Sequence, residues 1–372
     1  MYDFSSPLSD EERLDWLRLI RADNVGPVTF CQLMARYGSA QNALTQIAQA
    51  RPEHRRIVNV PSRKEAAAEI ENLQHLGARL ITKTDKEYPH ALLQIPDTPP
   101  ILTILGDISL LQSSQILAIV GARNASISGK TMAKDFATAL GNRGWKIASG
   151  MACGIDAQSH EAAVRTGTIA VLAGGIDDVY PQENQKLYDN IRQNGVIISE
   201  SPLGQKAQAH LFPRRNRLIA GLARGVLVIE AGAQSGSLRT AQFATDYNRD
   251  VFVVPGHPHD PRSKGSNLLI QQGHQLVQSP DDMIKSLEQT QVLEFSEPTY
   301  TFDHTPPSTD LKTQILHHLS YTPVTWDALG TALAAPIAQI RACVVELEMD
   351  GRIHIAPGGR VSLQEKKDQK TS

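Results

Sequence analysis

The chain has 372 residues, of which 41% are hydrophobic and 20% are charged. At roughly 150 residues per domain this length predicts two or three domains. The apolar content excludes a chain that is disordered throughout. The net charge of −2, from 37 basic and 39 acidic residues, excludes a globally basic nucleic-acid binder but leaves room for a local basic patch.

The cysteines and the apolar runs indicate the compartment. Cys31, Cys153 and Cys343 lie far apart and form no CxxC pair, which is typical of a reducing cytoplasm. No apolar run approaches the roughly 18 residues of a membrane span, and the first residues show no secretory signal. We therefore expect a cytoplasmic protein that binds no membrane.

Residues 1–60 predict a small helical domain. Apolar residues recur at helical spacing over 15–21 and 29–37, on either side of the turn Asn24-Val25-Gly26-Pro27. The arrangement resembles SAM-like or helix-hairpin-helix modules, which often contact nucleic-acid backbones through the glycine turn. A domain that serves only for packing is the alternative, and the sequence leaves both open.

Residues 61–287 predict an extended Rossmann-like domain with its core at 111–287. A helix over 64–76 and a proline-rich extended segment at 78–110 precede six short runs rich in Ile and Val. Such runs are typical of parallel strands covered on both faces, and their alternation with helices predicts a doubly wound, mostly parallel α/β sheet. The predicted strands are 116–120, 146–148, 169–172, 196–198, 226–229 and 251–254, and the helices are 130–142, 157–165, 183–193, 218–223 and 238–247.

The C-terminal region predicts a linker at 288–310, a winged-helix-like domain at 311–364 and a disordered tail at 365–372. The linker is rich in Gln, Thr, Ser, Pro and Glu. The third helix of the domain carries one basic residue, Arg341, and three acids, which disfavours insertion into a DNA groove. Its predicted elements are helices at 311–319, 325–334 and 336–350 and a hairpin at 352–355 and 360–363.

Ligands of doubly wound sheets bind at the carboxyl ends of the strands, so the loops there are candidate sites. The first loop runs into Gly129-Lys130-Thr131 but has Asn124 where a P-loop requires glycine, so a nucleotide-binding loop is not supported. Arg123, Ser126 and the helix N-terminus are suited to meet a phosphate. An ordinary surface loop is the alternative.

The segment 201–229 is the most informative one, because it holds four arginines and one lysine and no acid. Three of the arginines, Arg214, Arg215 and Arg217, crowd the start of a helix, where anions are preferred. Such a cluster makes sense if a polyanion binds it. We also expect at least one of these arginines to pair with an acid, such as Glu200 or Glu230.

Several other residues have a structural interpretation. Asp156 is predicted as the N-cap of the helix that carries His160. Cys153 is interpreted as a small buried residue rather than a nucleophile. The loop with His257 and His259 is interpreted as a rigid turn rather than a metal site, because no third ligand cluster stands out.

Five segments, in order along the chain, carry a family resemblance. They are Val120-Gly121-Ala122-Arg123, Ser149-Gly150-Met151-Ala152-Cys153-Gly154-Ile155-Asp156, Tyr180-Pro181-Gln182-Glu183-Asn184, Phe212-Pro213-Arg214-Arg215-Asn216-Arg217-Leu218-Ile219-Ala220-Gly221-Leu222, and Glu230-Ala231 with Ser235-Gly236-Ser237-Leu238. Together they resemble the DNA-processing protein A family (DprA, also called Smf). The resemblance implies a bacterial protein of natural transformation that binds incoming single-stranded DNA, protects it and helps to load RecA recombinase. It also implies a homodimer through the Rossmann-like domain and no catalytic reaction on DNA.

The resemblance and the shared sheet edge together predict one phosphate-binding pocket. Aromatic residues make up only 5% of the chain, and Phe212 is the one stacking candidate in the basic segment, so we expect backbone-dominated, largely sequence-independent binding. No catalytic residue, metal or cofactor is predicted. The predicted pocket comprises Arg123, Ser149, Gly150, Gly154, Phe212, Arg214, Arg215, Asn216, Arg217, Ser235, Gly236 and Ser237.

An alternative function is that of a nucleoside-monophosphate phosphoribohydrolase of the lysine-decarboxylase-like Rossmann family. Those enzymes need a Glu in a PGGxGTxxE-like loop, and Thr240 stands at that place. A hydroxyl cannot stabilise an oxocarbenium-like state as a carboxylate does. Two further expectations are that residues 111–287 alone bind single-stranded DNA, and that Asn267-Leu268-Leu269-Ile270 is partly exposed near the dimer surface, with Leu269 as its test position.

Overall fold

The computed structural model describes residues 7–49, 59–295, 309–320, 322–333, 335–356 and 360–364. The chain divides into two compact units, Met1–Glu294 and Phe295–Ser372. Each unit is considered by itself below. The predicted tail at 365–372 lies outside the described residues.

The first unit begins with four helices that share an apolar core. Ser9 and Ser62 begin the first and fourth helices with capping boxes, each closed by a glutamate three residues later, as expected for strong helix starts. Trp16 packs edge-on against Phe30, with ring centroids 5.0 Å apart. The helices are α1 (Asp10–Arg21), α2 (Pro27–Tyr37), α3 (Ala40–Ala48) and α4 (Arg63–His75).

A nine-stranded, mostly parallel sheet forms the centre of the first unit, which confirms the predicted fold class. The strand order is β1-β2-β6-β5-β4-β3-β7-β8-β9, and only β1 and β2 run antiparallel to their neighbours. The proline-rich segment 78–110 therefore supplies the edge strand β1 and its neighbour β2 to the same sheet. The strands are β1 (Arg79–Thr82), β2 (Ile101–Gly106), β3 (Ile116–Gly121), β4 (Lys146–Ser149), β5 (Thr168–Leu172), β6 (Val196–Ser199), β7 (Gly225–Ile229), β8 (Asp250–Val253) and β9 (Gln275–Leu276).

Helices cover both faces of this sheet, so the central strands β3, β5 and β7 are mostly apolar and buried along almost their whole length. One face packs against α5 (His90–Leu93), α9 (Leu211–Leu222), α10 (Gly236–Asp246) and α11 (Lys264–Gln271). The other face packs against α6 (Ile127–Asn142), α7 (Ile155–Ala163), α8 (Gln185–Asn194) and α12 (Pro280–Phe295).

Two sequence expectations about this unit are wrong in part. Helix α12 continues to Phe295, so residues 288–295 are helical rather than linker. The segment Asn267-Leu268-Leu269-Ile270 is partly exposed, as expected, but Leu269 was the wrong test position. Leu269 is only 7% exposed because it points into the core under β8, whereas Leu268 is 46% exposed. Leu268 is therefore the position that tests a surface.

The second unit is a winged helix, as predicted. Its strands form a three-stranded sheet in the order β10-β12-β11 around a core that includes Ile315, Leu329, Val344 and Ile353. The elements are α13 (Thr309–His318), β10 (Val324–Thr325), α14 (Trp326–Leu333), α15 (Ile337–Met349), β11 (Ile353–Ala356) and β12 (Arg360–Leu363).

In the described residues no single helix combines the length and the hydropathy needed to cross a membrane. Helices α14 and α15 pass that test only as a pair, and they are bent by 111° relative to each other.

Candidate nucleic-acid interface

The loops that carry the predicted site residues lie at one edge of the sheet. Strands β3 to β8 are parallel in register, so their carboxyl ends point to the same side. The loops that leave this edge include 122–126 after β3, 150–154 after β4, 173–181 after β5 and 230–235 after β7. Helix α9 begins here as well, at Leu211, seven residues earlier than predicted.

Three side chains from three of these segments meet at the surface. The guanidinium of the exposed Arg123 lies over the Phe212 ring, 5.0 Å from its centroid. Tyr180, which is 47% exposed, packs against the same ring with centroids 5.5 Å apart. Arg214 follows Phe212 on α9; its side chain is exposed, and no hydrogen bond or ion pair joins it to another described residue. We call Arg123, Tyr180 and Phe212 the edge cluster.

The edge cluster suits single-stranded nucleic acid in its chemistry. The exposed Tyr180 and the half-buried Phe212 offer aromatic surface on which unpaired bases can stack, and an arginine can donate two parallel hydrogen bonds to one phosphate. Sequence reasoning missed Tyr180 as a member. The available signal was an aromatic residue a few positions after a buried strand, where a polar loop residue is usual.

Arg215, by contrast, is buried under this surface and is 6% exposed. Its Nη1 donates to the carbonyl oxygens of Gly150 and Val171, the latter at 2.7 Å, and its Nε donates to Asn216 Oδ1 at 3.1 Å. Burial lowers the pKa of Arg215 to about 10, although the neighbouring Asp156 favours the charged form. The guanidinium remains charged at neutral pH.

Asp156 is not the N-cap that the sequence predicts. Gly154 occupies the cap position of α7, and Asp156 lies in the first turn. Its Oδ2 accepts hydrogen bonds from the backbone amides of Gly150 (3.2 Å) and Ala152 (3.4 Å). Burial raises the pKa of Asp156, while Arg215 and these amides act in the opposite direction. The carboxylate therefore fixes the loop after β4.

Arg217 points away from the edge cluster into a buried ion-pair network. Its Nη2 lies 2.5 Å from Glu200 Oε2, and its Nη1 donates to the Asp97 carbonyl oxygen at 2.7 Å. Its Nε also lies 3.4 Å from the Asp97 carboxylate. This confirms the expectation that one arginine of the run pairs with an acid, and the partner is Glu200.

Glu230 serves a different purpose from the one considered for it. Its carboxylate accepts hydrogen bonds from the Ser126 amide, at 2.8 Å, and from the Ser126 hydroxyl. A Cβ at Gly129 would collide with this carboxylate. The N-terminus of α6 is thus already occupied by an acid of the protein itself.

Two of the small residues in the predicted pocket, Ser149 and Gly154, pack against the backbone of the protein itself, whereas Gly236 lies at the surface. Ser149 is buried and donates to the Ile119 carbonyl oxygen at 2.6 Å. Gly154 has φ +79°, and a Cβ there would collide with the carbonyl oxygens of Ala122 and Arg123. Gly236 is exposed, with open space where a Cβ would stand.

The β7 loop joins the same edge through α9. Ser235 is the N-cap of α10, and its hydroxyl lies 2.7 Å from that of Ser237, which is buried. Asn216 Nδ2 donates to the Gly236 carbonyl oxygen at 3.2 Å. The structure thus links Arg123, Gly150, Gly154, Phe212, Arg215, Asn216 and Gly236 through contacts, and places Arg217 elsewhere.

The other chemical candidates remain unremarkable. Within the described ranges, no group of three or more His, Cys, Asp or Glu side chains is arranged to hold a metal ion. Cys153 is half-buried and free. Helix α15 exposes Ile337, Val345 and Met349 beside a single basic residue, Arg341, so its outer face is largely apolar rather than basic.

Comparison with known proteins decides the family. A family model described as "DNA recombination-mediator protein A" matches residues 79–288. A DprA-like N-terminal HHH domain matches residues 10–72, and a DprA winged helix domain matches residues 303–359.

The chain belongs to the DprA/Smf family. It is 32% identical to the protein Smf of Synechocystis sp. over 95% of this chain and 99% of that protein. It is 39% identical to the DNA processing protein DprA of Bacillus subtilis over 60% of this chain and 75% of that one.

Solved structures of DprA proteins share the fold. DNA processing protein A from Streptococcus pneumoniae is 31% identical, with a TM-score of 0.59 over 76% of this chain and 94% of that chain. DprA from Helicobacter pylori, described for its single-stranded DNA binding mode, is 30% identical, with a TM-score of 0.53 over 57% of this chain and 96% of that chain.

The family model that matches residues 79–288 describes a recombination mediator, which does not favour the phosphoribohydrolase alternative. Thr240, at the position where that chemistry needs a Glu, is 1% exposed on α10 and unavailable to a substrate.

Proposed function

We propose that this chain binds single-stranded DNA through the edge cluster. The observation that carries the proposal is the guanidinium of the exposed Arg123 lying over the half-buried Phe212 ring, with the exposed Tyr180 against the same ring. This arrangement places a cation that can bind phosphate directly beside aromatic rings on which a base can stack. The Helicobacter pylori relative, whose structure is described for binding single-stranded DNA, supports the same reading.

The chemistry of the edge cluster favours single strands over duplex. Its aromatic rings need an unstacked base, which a duplex does not offer without local opening. Phosphate contacts from Arg123 and Arg214 carry no base information, so binding is largely independent of sequence. Because the net charge of the chain is −2, the electrostatic attraction for DNA must come from this local patch rather than from the whole surface.

Further parts of the proposal rest on the family. We propose that the bound strand is protected and handed to RecA recombinase during natural transformation, in the cytoplasm. We also propose a homodimer formed through the sheet domain.

Affinity for single- and double-stranded oligonucleotides of equal length tests the proposal. Anisotropy titrations should give tighter binding of the single strand by the wild type. The Phe212→Ala variant should bind the single strand about fivefold more weakly or worse, since base–aromatic stacking contributes roughly 1–3 kcal/mol per base. Equal affinity for duplex, or an unchanged Phe212→Ala variant, would contradict the proposal.

RecA loading is tested separately, by RecA ATP hydrolysis on single strands already covered by a single-strand binding protein. The wild-type chain should shorten the lag before hydrolysis. A variant that binds DNA normally but leaves the lag unchanged would separate the DNA site from the RecA role. No shortening by the wild type itself would contradict the loading role.

A further inference from the structure

We propose that Arg215 does not contact DNA and instead acts as a positioning residue, which holds the Phe212 ring and the Gly150 turn in the geometry that receives a base. This inference rests on the proposed function. It assigns different roles to two arginines that are adjacent in sequence, Arg214 and Arg215.

The first support is that the donors of Arg215 are already used inside the protein. Nη1 bonds to two carbonyl oxygens from different strand ends, Gly150 after β4 and Val171 in β5. Nε bonds to the Asn216 side chain, which in turn bonds to the Gly236 carbonyl oxygen. With 6% of its surface exposed, the guanidinium would have to leave these partners to reach a phosphate. That exchange would break hydrogen bonds inside the protein, which is unfavourable because buried polar groups need partners.

The second support is the position of Arg215 relative to Phe212. The Arg215 guanidinium lies 6.0 Å from the ring centroid, and the Arg123 guanidinium lies 5.0 Å from it. Only Arg123 is exposed. Phe212 thus has one surface cation available to DNA and one buried cation that belongs to the protein interior.

The third support is Gly150, which has no side chain where the Arg215 guanidinium lies. A Cβ built at Gly150 would collide with the Arg215 Nη1, Cζ and Nη2 atoms. Since guanidinium and Cβ cannot share that space, a substitution at Gly150 must displace Arg215. The two residues are therefore coupled, and the coupling is measurable.

The buried charge is balanced locally. Asp156 stabilises the charged form of Arg215, and its carboxylate bonds to the amides of Gly150 and Ala152. Arg215 and Asp156 therefore hold the same turn, one through its carbonyl group and the other through its amide groups. The turn after β4 is fixed from both sides without a ligand.

The test uses the full chain, a single-stranded oligonucleotide containing 2-aminopurine, and a salt series. Arg215→Met keeps an unbranched side chain of similar length but loses the charge and the donors. We expect it to bind about tenfold more weakly, to lose most of the 2-aminopurine fluorescence change that reports stacking, and to keep the wild-type salt slope. Arg123→Ala should instead keep most of the 2-aminopurine fluorescence change and show a salt slope that is shallower by roughly 0.7.

Gly150→Ala gives an independent route to the same prediction. Gly150→Ala should show the same weaker affinity, reduced 2-aminopurine signal and unchanged salt slope as Arg215→Met. The double variant should bind no more weakly than either single variant, because both substitutions disturb the same contact. Gly150→Ala alone decides the proposal if Arg215→Met does not fold, as judged by circular dichroism and thermal midpoint.

A salt slope that falls for Arg215→Met as it does for Arg123→Ala would overturn the proposal and make Arg215 a phosphate ligand. A folded variant with unchanged affinity and unchanged 2-aminopurine signal would also overturn it. If the wild type itself binds no oligonucleotide, the proposed function fails instead, which is a different result.

Discussion

At the scale of residues, identical side chains in one short run have different surroundings. Arg214 is exposed, Arg215 is bonded to backbone carbonyl groups, and Arg217 is paired with Glu200 and Asp97. The sequence revealed the concentration of positive charge and the absence of nearby acids. It could not reveal direction, because each step along a helix turns the side chain by about 100° and the facing partners come from distant segments.

Arg217→Ala and Arg214→Ala form a matched pair that separates stability from binding. Arg217→Ala removes the partner of two poorly exposed carboxylates, so we expect a loss of about 3–5 kcal/mol in the free energy of unfolding. Arg214→Ala should change that free energy by less than about 0.5 kcal/mol and weaken DNA binding instead. Urea denaturation and oligonucleotide titration measure both quantities. Equal effects of the two variants on stability would contradict the assignment.

His160 predicts a pH dependence of stability. Its ring is fully buried, with Nδ1 2.7 Å from Thr168 Oγ1, and burial lowers its pKa to about 3. The unfolded chain takes up the proton near pH 6.5 and the folded chain does not, so stability is full above that pH and declines below it. Between pH 6.5 and 5, protonation of His160 in the unfolded chain should lower the free energy of unfolding by about 2 kcal/mol.

The difference between wild type and His160→Gln isolates this contribution. Denaturation curves across the pH range should show a steeper acid decline for the wild type, because the variant has no imidazole to titrate. Parallel curves for the two proteins would show that His160 takes up its proton equally in the folded and unfolded states.

At the scale of elements, the positions of the strands were predictable and several helix boundaries were not. Continuous runs of Ile and Val identify buried parallel strands, and all six predicted runs are strands of the sheet. Helix α9 starts at Leu211 because Pro213 falls in its first turn, where no amide donor is needed. Asp156 lies two residues beyond the predicted N-cap position, because Gly154, with its positive φ, is the cap of α7.

Helix α11 offers a test of the proposed dimer. Leu268→Asp changes an exposed side chain, and Leu269→Asp, the adjacent control, places a charge in the core. We expect Leu269→Asp to lower the thermal midpoint strongly. If α11 contributes to the dimer, Leu268→Asp should shift the light-scattering mass towards the monomer while leaving the midpoint of the monomer little changed. A wild-type monomer at micromolar concentration would contradict the dimer.

At the scale of the whole molecule, the sheet extends beyond the predicted core. Strand β2 pairs with β6 over four residues, from Thr103 with Ser199 to Gly106 with Val196. The N-terminal helices share their core with Ile101 of β2, and Arg21 donates to the Glu200 carbonyl oxygen at 2.9 Å. The sequence showed two apparent domains here, but long-range pairing, which leaves no local signal, makes them one compact unit.

This extension changes which fragment should be tested. A fragment of residues 111–287 lacks β1, β2 and Asp97, so it exposes an edge of β6 and removes a partner of Arg217. We expect it to be unstable or to aggregate. A fragment of residues 1–294 should fold and bind single-stranded oligonucleotide within a few-fold of the full chain. A fragment 1–294 that folds without binding would move the DNA site into the winged helix.

The salt dependence of Arg123→Ala tests the central claim most directly. The matched control is Arg165→Ala, an exposed arginine just after α7, which runs from the carboxyl edge of the sheet towards the opposite one. For a single-stranded oligonucleotide, the negative slope of log affinity against log salt should become shallower by roughly 0.7 for Arg123→Ala. It should remain at the wild-type value for Arg165→Ala. Folded variants with identical slopes and affinities would contradict the assignment of the edge cluster as the DNA site.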